Sequence, residues 1–313
     1  MKILVLPGDG IGPDICAATV QVLEQVDTRF GLGLRFETRE IGFAALRNQK
    51  TTAPQAVLDE SAQADGVLLG PISHAEYPAP ADGGVNVPAA LRIGLDLHAN
   101  IRPSRSRAGL GLAARAPVDL VIVRENTEGF YADRNMFAGS GEFMPTADVA
   151  LAVRKITRQG SRRIAEAAFE LATRRRGRVT AVHKANVLRL SDGLFLGEAR
   201  KVAEQYGDVA CYEQLVASMA ALLVRNPDSF DVILATNMFG DILSDLAAEL
   251  SGSLGLGGSI NRGVTHCVAQ AQHGSARALL PTRCASGSER RCSSQSRPRK
   301  RAGFRLVMRS SSA

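Results

Sequence analysis

Short apolar runs alternate with longer amphipathic stretches along most of this chain. The runs at 2–6, 34–41, 65–70, 118–124, 179–184 and 232–235 have strand length and strand composition. Apolar positions at helical spacing fill the segments between them. Helices are expected at 15–30, 53–64, 89–95, 161–173 and 193–206, and from Asp241 onward. Strands alternating with helices predict an α/β fold with a mainly parallel sheet. Gly240 is expected to make a sharp turn between the run at 232–235 and the last helix. The basic end of the fourth helix, Arg174-Arg175-Arg176, reads as a solvated terminus that compensates the helix dipole. No internal repeat is present.

Composition changes this picture little. With 313 residues, 45% of them apolar, the chain can bury one large core or two moderate ones. No apolar run reaches the length of a membrane span. The start, Met1 to Leu6, is too short for a secretory signal and runs directly into Pro7-Gly8-Asp9-Gly10, as in a cytoplasmic protein. Five scattered cysteines contain no Cys-x-x-Cys pair, so neither a disulfide framework nor a zinc site is indicated. The formal net charge of +7 misleads. Residues 277–313 carry nine arginines, one lysine and a single acid, Glu289, and the remainder is near neutral. The basicity therefore argues for no nucleic-acid partner, and no membrane partner is indicated.

The candidate chemistry lies at the strand ends. The Gly-rich turn Gly8-Asp-Gly-Ile-Gly-Pro13 lacks the Gly-x-Gly-x-x-Gly spacing of a dinucleotide fingerprint, because its glycines fall at every second position. Arg92, Arg102 and Arg124 lie in three separate segments. Three guanidinium forks suit a di- or tricarboxylate, although each alone passes for a surface arginine. Tyr131 and Lys184 can move protons once their pKa values are shifted. Asp241 and Asp245, four apart, share one helix face and have the oxygen ligands that a hard divalent cation prefers. On spacing alone, a helix cap at Asp241 and a solvated first-turn acid at Asp245 would also account for them.

Taken together and in order, Gly8-Asp-Gly-Ile-Gly-Pro13, Leu91-Arg92 with Asp96-Leu-His-Ala-Asn-Ile-Arg-Pro103, Arg124-Glu-Asn-Thr-Glu-Gly-Phe-Tyr131, His183-Lys-Ala-Asn186, 237–245 and Gly255 with His273-Gly-Ser-Ala276 resemble the isocitrate/isopropylmalate dehydrogenase family of β-decarboxylating dehydrogenases. The resemblance spans 1–276. It implies two α/β domains around an interdomain cleft, not a Rossmann fold: 1–103 plus 250–276 on the cofactor side, and 104–249 for dimerisation and metal binding. It implies metal-dependent oxidative decarboxylation of a malate-type 2-hydroxy-3-carboxy acid with NAD or NADP, NAD being favoured, and with Mg²⁺ or Mn²⁺. By resemblance, Lys184 assists removal of the hydroxyl proton and Tyr131 protonates the enolate carbon. Arg92, Arg102 and Arg124 bind substrate carboxylates, and Asp241 and Asp245 hold the metal. His273, Gly274, Ser275 and Ala276 meet the cofactor. Members of the family are homodimers, in which Lys184 would serve the partner's cleft. Arg124-Glu-Asn-Thr-Glu-Gly looks like the isocitrate or homoisocitrate branches. Asn86 replaces a serine frequent there, and Val85, Val87 and Pro88 suit an aliphatic group. Isocitrate and isopropylmalate both stay open, with a tartrate- or malate-like acid third.

The sequence departs from the family twice. Ala217 stands where the family has a third metal-binding aspartate, and a methyl ligates nothing. After 276 the chain becomes Arg/Ser-rich, which fits a change of reading frame near 277 better than a nucleic-acid-binding or targeting tail. With eight serines and nine arginines, 277–313 is expected to be poorly packed. These departures raise the alternative of a catalytically impaired member that acts only as a binding or regulatory partner.

Overall fold

The computed structural model describes residues 1–107, 109, 114–131, 136 and 139–275. The tail at 277–313, and Ala276 with it, lie outside the described residues. In chain order the elements are β1 (Lys2–Leu6), α1 (Gly12–Phe30), β2 (Arg35–Thr38), α2 (Gly42–Gln49), α3 (Gln55–Gln63), β3 (Gly66–Leu69), α4 (Val87–Gly94), β4 (Ala99–Arg105) and β5 (Asp119–Glu125). They continue with β6 (Glu142–Thr146), β7 (Val149–Ala152), α5 (Arg158–Thr173), β8 (Arg178–His183), α6 (Ser191–Ala203), β9 (Ala210–Leu215) and α7 (Val216–Arg225). β10 (Val232–Ala235), α8 (Asn237–Ser251), β11 (Gly258–Arg262) and β12 (Cys267–Ala271) complete the described residues.

Ten strands form one sheet in the order β2-β1-β3-β12-β11-β4-β5-β10-β8-β9, and β6 and β7 make a separate hairpin. The sheet is mixed. β4 runs antiparallel to both β5 and β11, and β11 runs antiparallel to β12. The expectation of a mainly parallel sheet holds on the two flanks and fails in the middle. The reversal comes from β11 and β4, which the sequence pattern does not mark as strands.

Strand parity assigns the core. Successive side chains of a strand point to opposite faces. Val121 and Val123 of β5 join Val232 and Leu234 of β10 in one apolar cluster, roofed by Ile164 and Phe169 of α5 and by α6. Leu120 and Ile122 join Ile233 and Ala235 on the other face, roofed by Met219 of α7 and Leu243 of α8. Strands covered on both faces must be apolar at every position, which is why β10 reads as the unbroken run Val-Ile-Leu-Ala and is buried throughout. A third cluster fills the space around β1 and β3, with Leu4, Leu69, Val57 and Leu91 among its members.

The Gly-rich turn after β1 is a packing device. A Cβ at Gly8 would lie 2.3 Å from the Pro71 carbonyl oxygen, and one at Gly10 would lie 2.3 Å from that of Ser275. Both glycines have positive φ, so a side chain there is excluded by conformation as well as by space. The turn thereby carries Asp9 inward, where its carboxylate accepts the Phe43 N–H at 2.8 Å and the Ser73 N–H at 3.0 Å. This long-range anchor at its first turn holds α2, a helix that the local pattern leaves unmarked.

Candidate active site

The same parity argument places the polar residues. Arg124 follows Leu120 and Ile122 at every second position, so it faces α8. On antiparallel β4, Arg102 lies opposite Ile122 and Asn100 opposite Arg124. Directly paired residues share a face, and all three therefore point toward the helix that carries Asp241 and Asp245.

Helix α8 begins at Asn237, with Thr236 as its N-cap residue, so Asp241 lies one turn inside and caps nothing. Gly240 is likewise within the helix and makes no turn. Its role is clearance: a Cβ there would sit 2.7 Å from the Arg124 Cβ and 2.8 Å from its Cγ. Gly240→Ala is expected to destabilise the protein by about 1–3 kcal/mol through overpacking, although alanine gains about 1 kcal/mol in helix propensity. A thermal melt checks the sign, and a raised Tm would show that β5 and α8 separate freely.

With that clearance the polar groups interlock. The Arg124 Nε and Nη2 donate to the Asn237 Oδ1 at 3.0 and 2.7 Å, its Nη2 also donates to the Tyr131 hydroxyl at 2.9 Å, and its Nη1 ion-pairs with Asp241. The Tyr131 hydroxyl donates to the Asp241 Oδ2 at 2.9 Å. Arg102, buried, reaches the Asp241 Oδ1 at 3.0 Å, the Ser244 Oγ at 2.8 Å and the Asp245 Oδ1 at 3.3 Å. Its Nε is fixed by the Asn100 Oδ1 at 2.6 Å, and the Gln272 amide donates to the Asp245 Oδ1 at 2.8 Å. Arg92, half-buried on α4, adds its positive field at Asp241.

Burial alone would raise the Asp241 pKa, but Arg124, Arg102 and the Tyr131 hydroxyl outweigh it and hold the carboxyl below its usual value. Burial pushes the Tyr131 phenol up, with the Asp241 charge adding to it against the pull of Arg124. The Asp241 shift fixes a pH dependence. A depressed folded pKa contributes stability that is full above the ordinary aspartate value of about 3.9 and is lost as pH falls through the lower folded value. The Tm gap between wild type and Asp241→Asn should therefore be widest near about pH 7 and close toward about pH 2. A gap that stays constant would show that charge is not its origin.

The structure thus joins Arg102, Arg124, Tyr131, Asp241 and Asp245 in one hydrogen-bonded cluster. It does not join Lys184 to them. That residue follows the end of β8, half-buried, and its backbone N–H donates to the Asp192 Oδ2 at 2.5 Å. His273 and Gly274 follow the end of β12, and His273 helps line a mainly apolar cleft of about 440 Å³ together with Ile15, Leu69, Gly255 and Gln270. Ser275 is buried, its hydroxyl 2.8 Å from that of Ser73. Asn237, Asn100, Ser244 and Gln272 are site residues that motif spacing does not single out. Ser244, three residues after Asp241, and Asn237, four before it, share its helix face, and Asn100 shares a strand face with Arg102; Gln272 alone among the four carries no local signal. Ala217 is exposed in the first turn of α7.

The family model for isocitrate/isopropylmalate dehydrogenase matches residues 2–282. The chain belongs to the isocitrate/isopropylmalate dehydrogenase family. This family member is 40% identical over 277 residues to the 3-isopropylmalate dehydrogenase of Methanothermobacter thermautotrophicus, a match that covers 88% of this chain and 78% of the relative. It is also 40% identical over 276 residues to the isocitrate/homoisocitrate dehydrogenase of Thermus thermophilus, at the same two coverages. The crystal structure of isocitrate dehydrogenase from Methylococcus capsulatus superposes with a TM-score of 0.77 at 40% identity, over 88% of this chain and 78% of that one. The α/β fold with its large mixed sheet is the fold of this family. Among the described residues no helix is long and apolar enough to cross a membrane.

Proposed function

We propose that this dehydrogenase-family chain catalyses metal-dependent oxidative decarboxylation of a malate-type 2-hydroxy-3-carboxy acid of the isocitrate or 3-isopropylmalate class, using NAD or NADP. The observation that carries the reading is the cluster in which Arg102 and Arg124 converge on Asp241 beside Tyr131. Two buried guanidinium groups aimed at one spot suit a substrate with several carboxylates.

The donor set fits a hard cation. Asp241 and Asp245 offer oxygen ligands one helical turn apart, and Asp241 is held ionised. Among the described residues no group of three or more His, Cys, Asp or Glu side chains is placed to hold a metal. Mg²⁺ commonly manages with one or two carboxylates plus substrate and water. The cleft beside His273 fits an aromatic ring of a dinucleotide, since its described lining is mainly apolar. When bound, the cation supplies charge stabilisation at the reacting oxygens and the nicotinamide supplies the oxidant.

The chain's own residues do the rest. The arginines hold and orient the carboxylates. Lys184, from the partner's β8 end in a homodimer, takes the hydroxyl proton. Tyr131, whose raised pKa keeps it protonated at neutral pH, delivers a proton to the carbon that loses CO₂. This reading includes a cytoplasmic homodimer and the division into 1–103 plus 250–276 and 104–249.

The test is reduction of NAD⁺ or NADP⁺ by the purified full chain with isocitrate, 3-isopropylmalate, tartrate and malate, with Mg²⁺ or Mn²⁺ and with chelator. Turnover of one acid that stops on chelation is expected. Silence with every acid would leave only the binding-partner alternative. Ala217→Asp is expected to lower the metal concentration for half-maximal rate about tenfold, as other changes around metal centres do. An unchanged titration would remove Ala217 from the metal site.

A further inference from the structure

Outside the arginine–aspartate cluster, Arg154 and Asp192 form an ion pair with both side chains buried, which no step above uses. Asp192, in the first turn of α6, is fully buried, and the Arg154 guanidinium is nearly so. One Asp192 oxygen takes the Arg154 Nη1, and the other accepts the backbone N–H of Lys184 at 2.5 Å. Arg154 Nη1 also reaches the Ser191 Oγ at 3.1 Å, and its Nη2 reaches the Thr236 Oγ1 at the start of α8, again at 3.1 Å. The guanidinium carbon lies 5.7 Å from the centre of the Phe130 ring and 5.3 Å from that of Phe239.

The partners of this arginine are informative. Phe130 precedes Tyr131, and Phe239 and Thr236 belong to the turn and helix that carry Asn237 and Asp241. Through Asp192 the same guanidinium reaches the backbone of Lys184. One side chain therefore touches the segments that hold the proton-handling tyrosine and the metal-side aspartate, is linked through Asp192 to the lysine, and touches none of those three groups directly. A buried ion pair stabilises a fold little or not at all relative to apolar residues of the same shape, because desolvation offsets the attraction. Its directional hydrogen bonds do, however, fix geometry, and a fork of five donors between two aromatic faces has few alternatives.

We propose that Arg154 and Asp192 are positioning residues that fix the backbone of Lys184 relative to Tyr131 and the start of α8. This rests on the functional reading above for what Lys184 does, and on the hydrogen-bond geometry alone for where it is held. In a homodimer the pair would set how one protomer presents its lysine to the other.

The test compares the full-length wild type with Arg154→Met/Asp192→Asn, which removes both charges and keeps an acceptor for the Lys184 N–H, and with Arg154→Lys, which keeps the charge and loses the fork. Rate constants, Tm and hydrogen exchange of peptides covering 184–192 are read together. For the double variant a fall in kcat of more than about thirtyfold is expected, in line with the cost of misplacing a reacting group by about 1 Å. KM should stay within threefold, Tm should be nearly unchanged, and exchange should quicken at 184–192 and not across the molecule. Arg154→Lys should fall between the two. An unchanged kcat, or kcat and Tm falling together with exchange quickened everywhere, overturns the proposal. A wild type that turns over no acid would count against the functional reading; exchange at 184–192 would then decide this inference alone.

Discussion

Arg124→Met is expected to lower the thermal stability of the protein by about 3–5 kcal/mol, the usual cost of removing one partner from a buried ion pair. For a chain of this size that corresponds to a Tm lower by roughly 10 °C. The cause is what Arg124 leaves behind. Asp241 loses its closest cation, and the buried Asn237 Oδ1 loses both donors that Arg124 directs at it. An unsatisfied buried acceptor costs about 1–3 kcal/mol by itself. The double variant Arg124→Met/Asp241→Asn should recover part of the loss, since the pair interacts directly. A Tm drop under about 2 °C for the single variant would mean that water replaces the guanidinium without penalty.

Asp241→Asn should weaken Mn²⁺ binding by more than about a hundredfold, measured by titration calorimetry in the absence of turnover. Partners that merely orient a metal ligand cost about ten- to a hundredfold when lost, so the ligand itself should cost more. Asp245→Asn should do less. Its carboxylate is more open to solvent than that of Asp241, and it shares one oxygen between Arg102 and Gln272. Mn²⁺ affinity within threefold of wild type in the Asp241 variant would take that carboxylate out of the metal site.

What the sequence made legible follows from range of interaction. β1, β5, β8 and β10 announce themselves because strands covered on both faces are apolar through most of their length. α5 and α8 do so through their apolar stripes. The residues that were missed depend on distant partners. α2 is short, only eight residues, and it is held by Asp9 from across the fold. β11 and β4 meet only because the chain returns from α8, and nothing local to Ile260 or Asn261 marks that pairing. Gly240 looked like a turn because glycine breaks helices on average, while its actual constraint is the Arg124 side chain. In the site, residue types pointed to carboxylate and metal chemistry, but Asn237 and Gln272 orient Arg124 and Asp245 from segments that only the fold brings together.

The parity of β5 bears on which genetic lesions this protein tolerates. Substitutions along the strand act one position at a time, each on the cluster its side chain faces. A single-residue deletion between Leu120 and Val123 acts on everything downstream at once. It would exchange the two cores and swing Arg124 away from α8. A two-residue deletion keeps the faces and shortens the reach. In a deletion scan the activity of this strand should therefore be lost in full at odd lengths and only in part at even ones, a signature of a site encoded by counting as much as by chemistry.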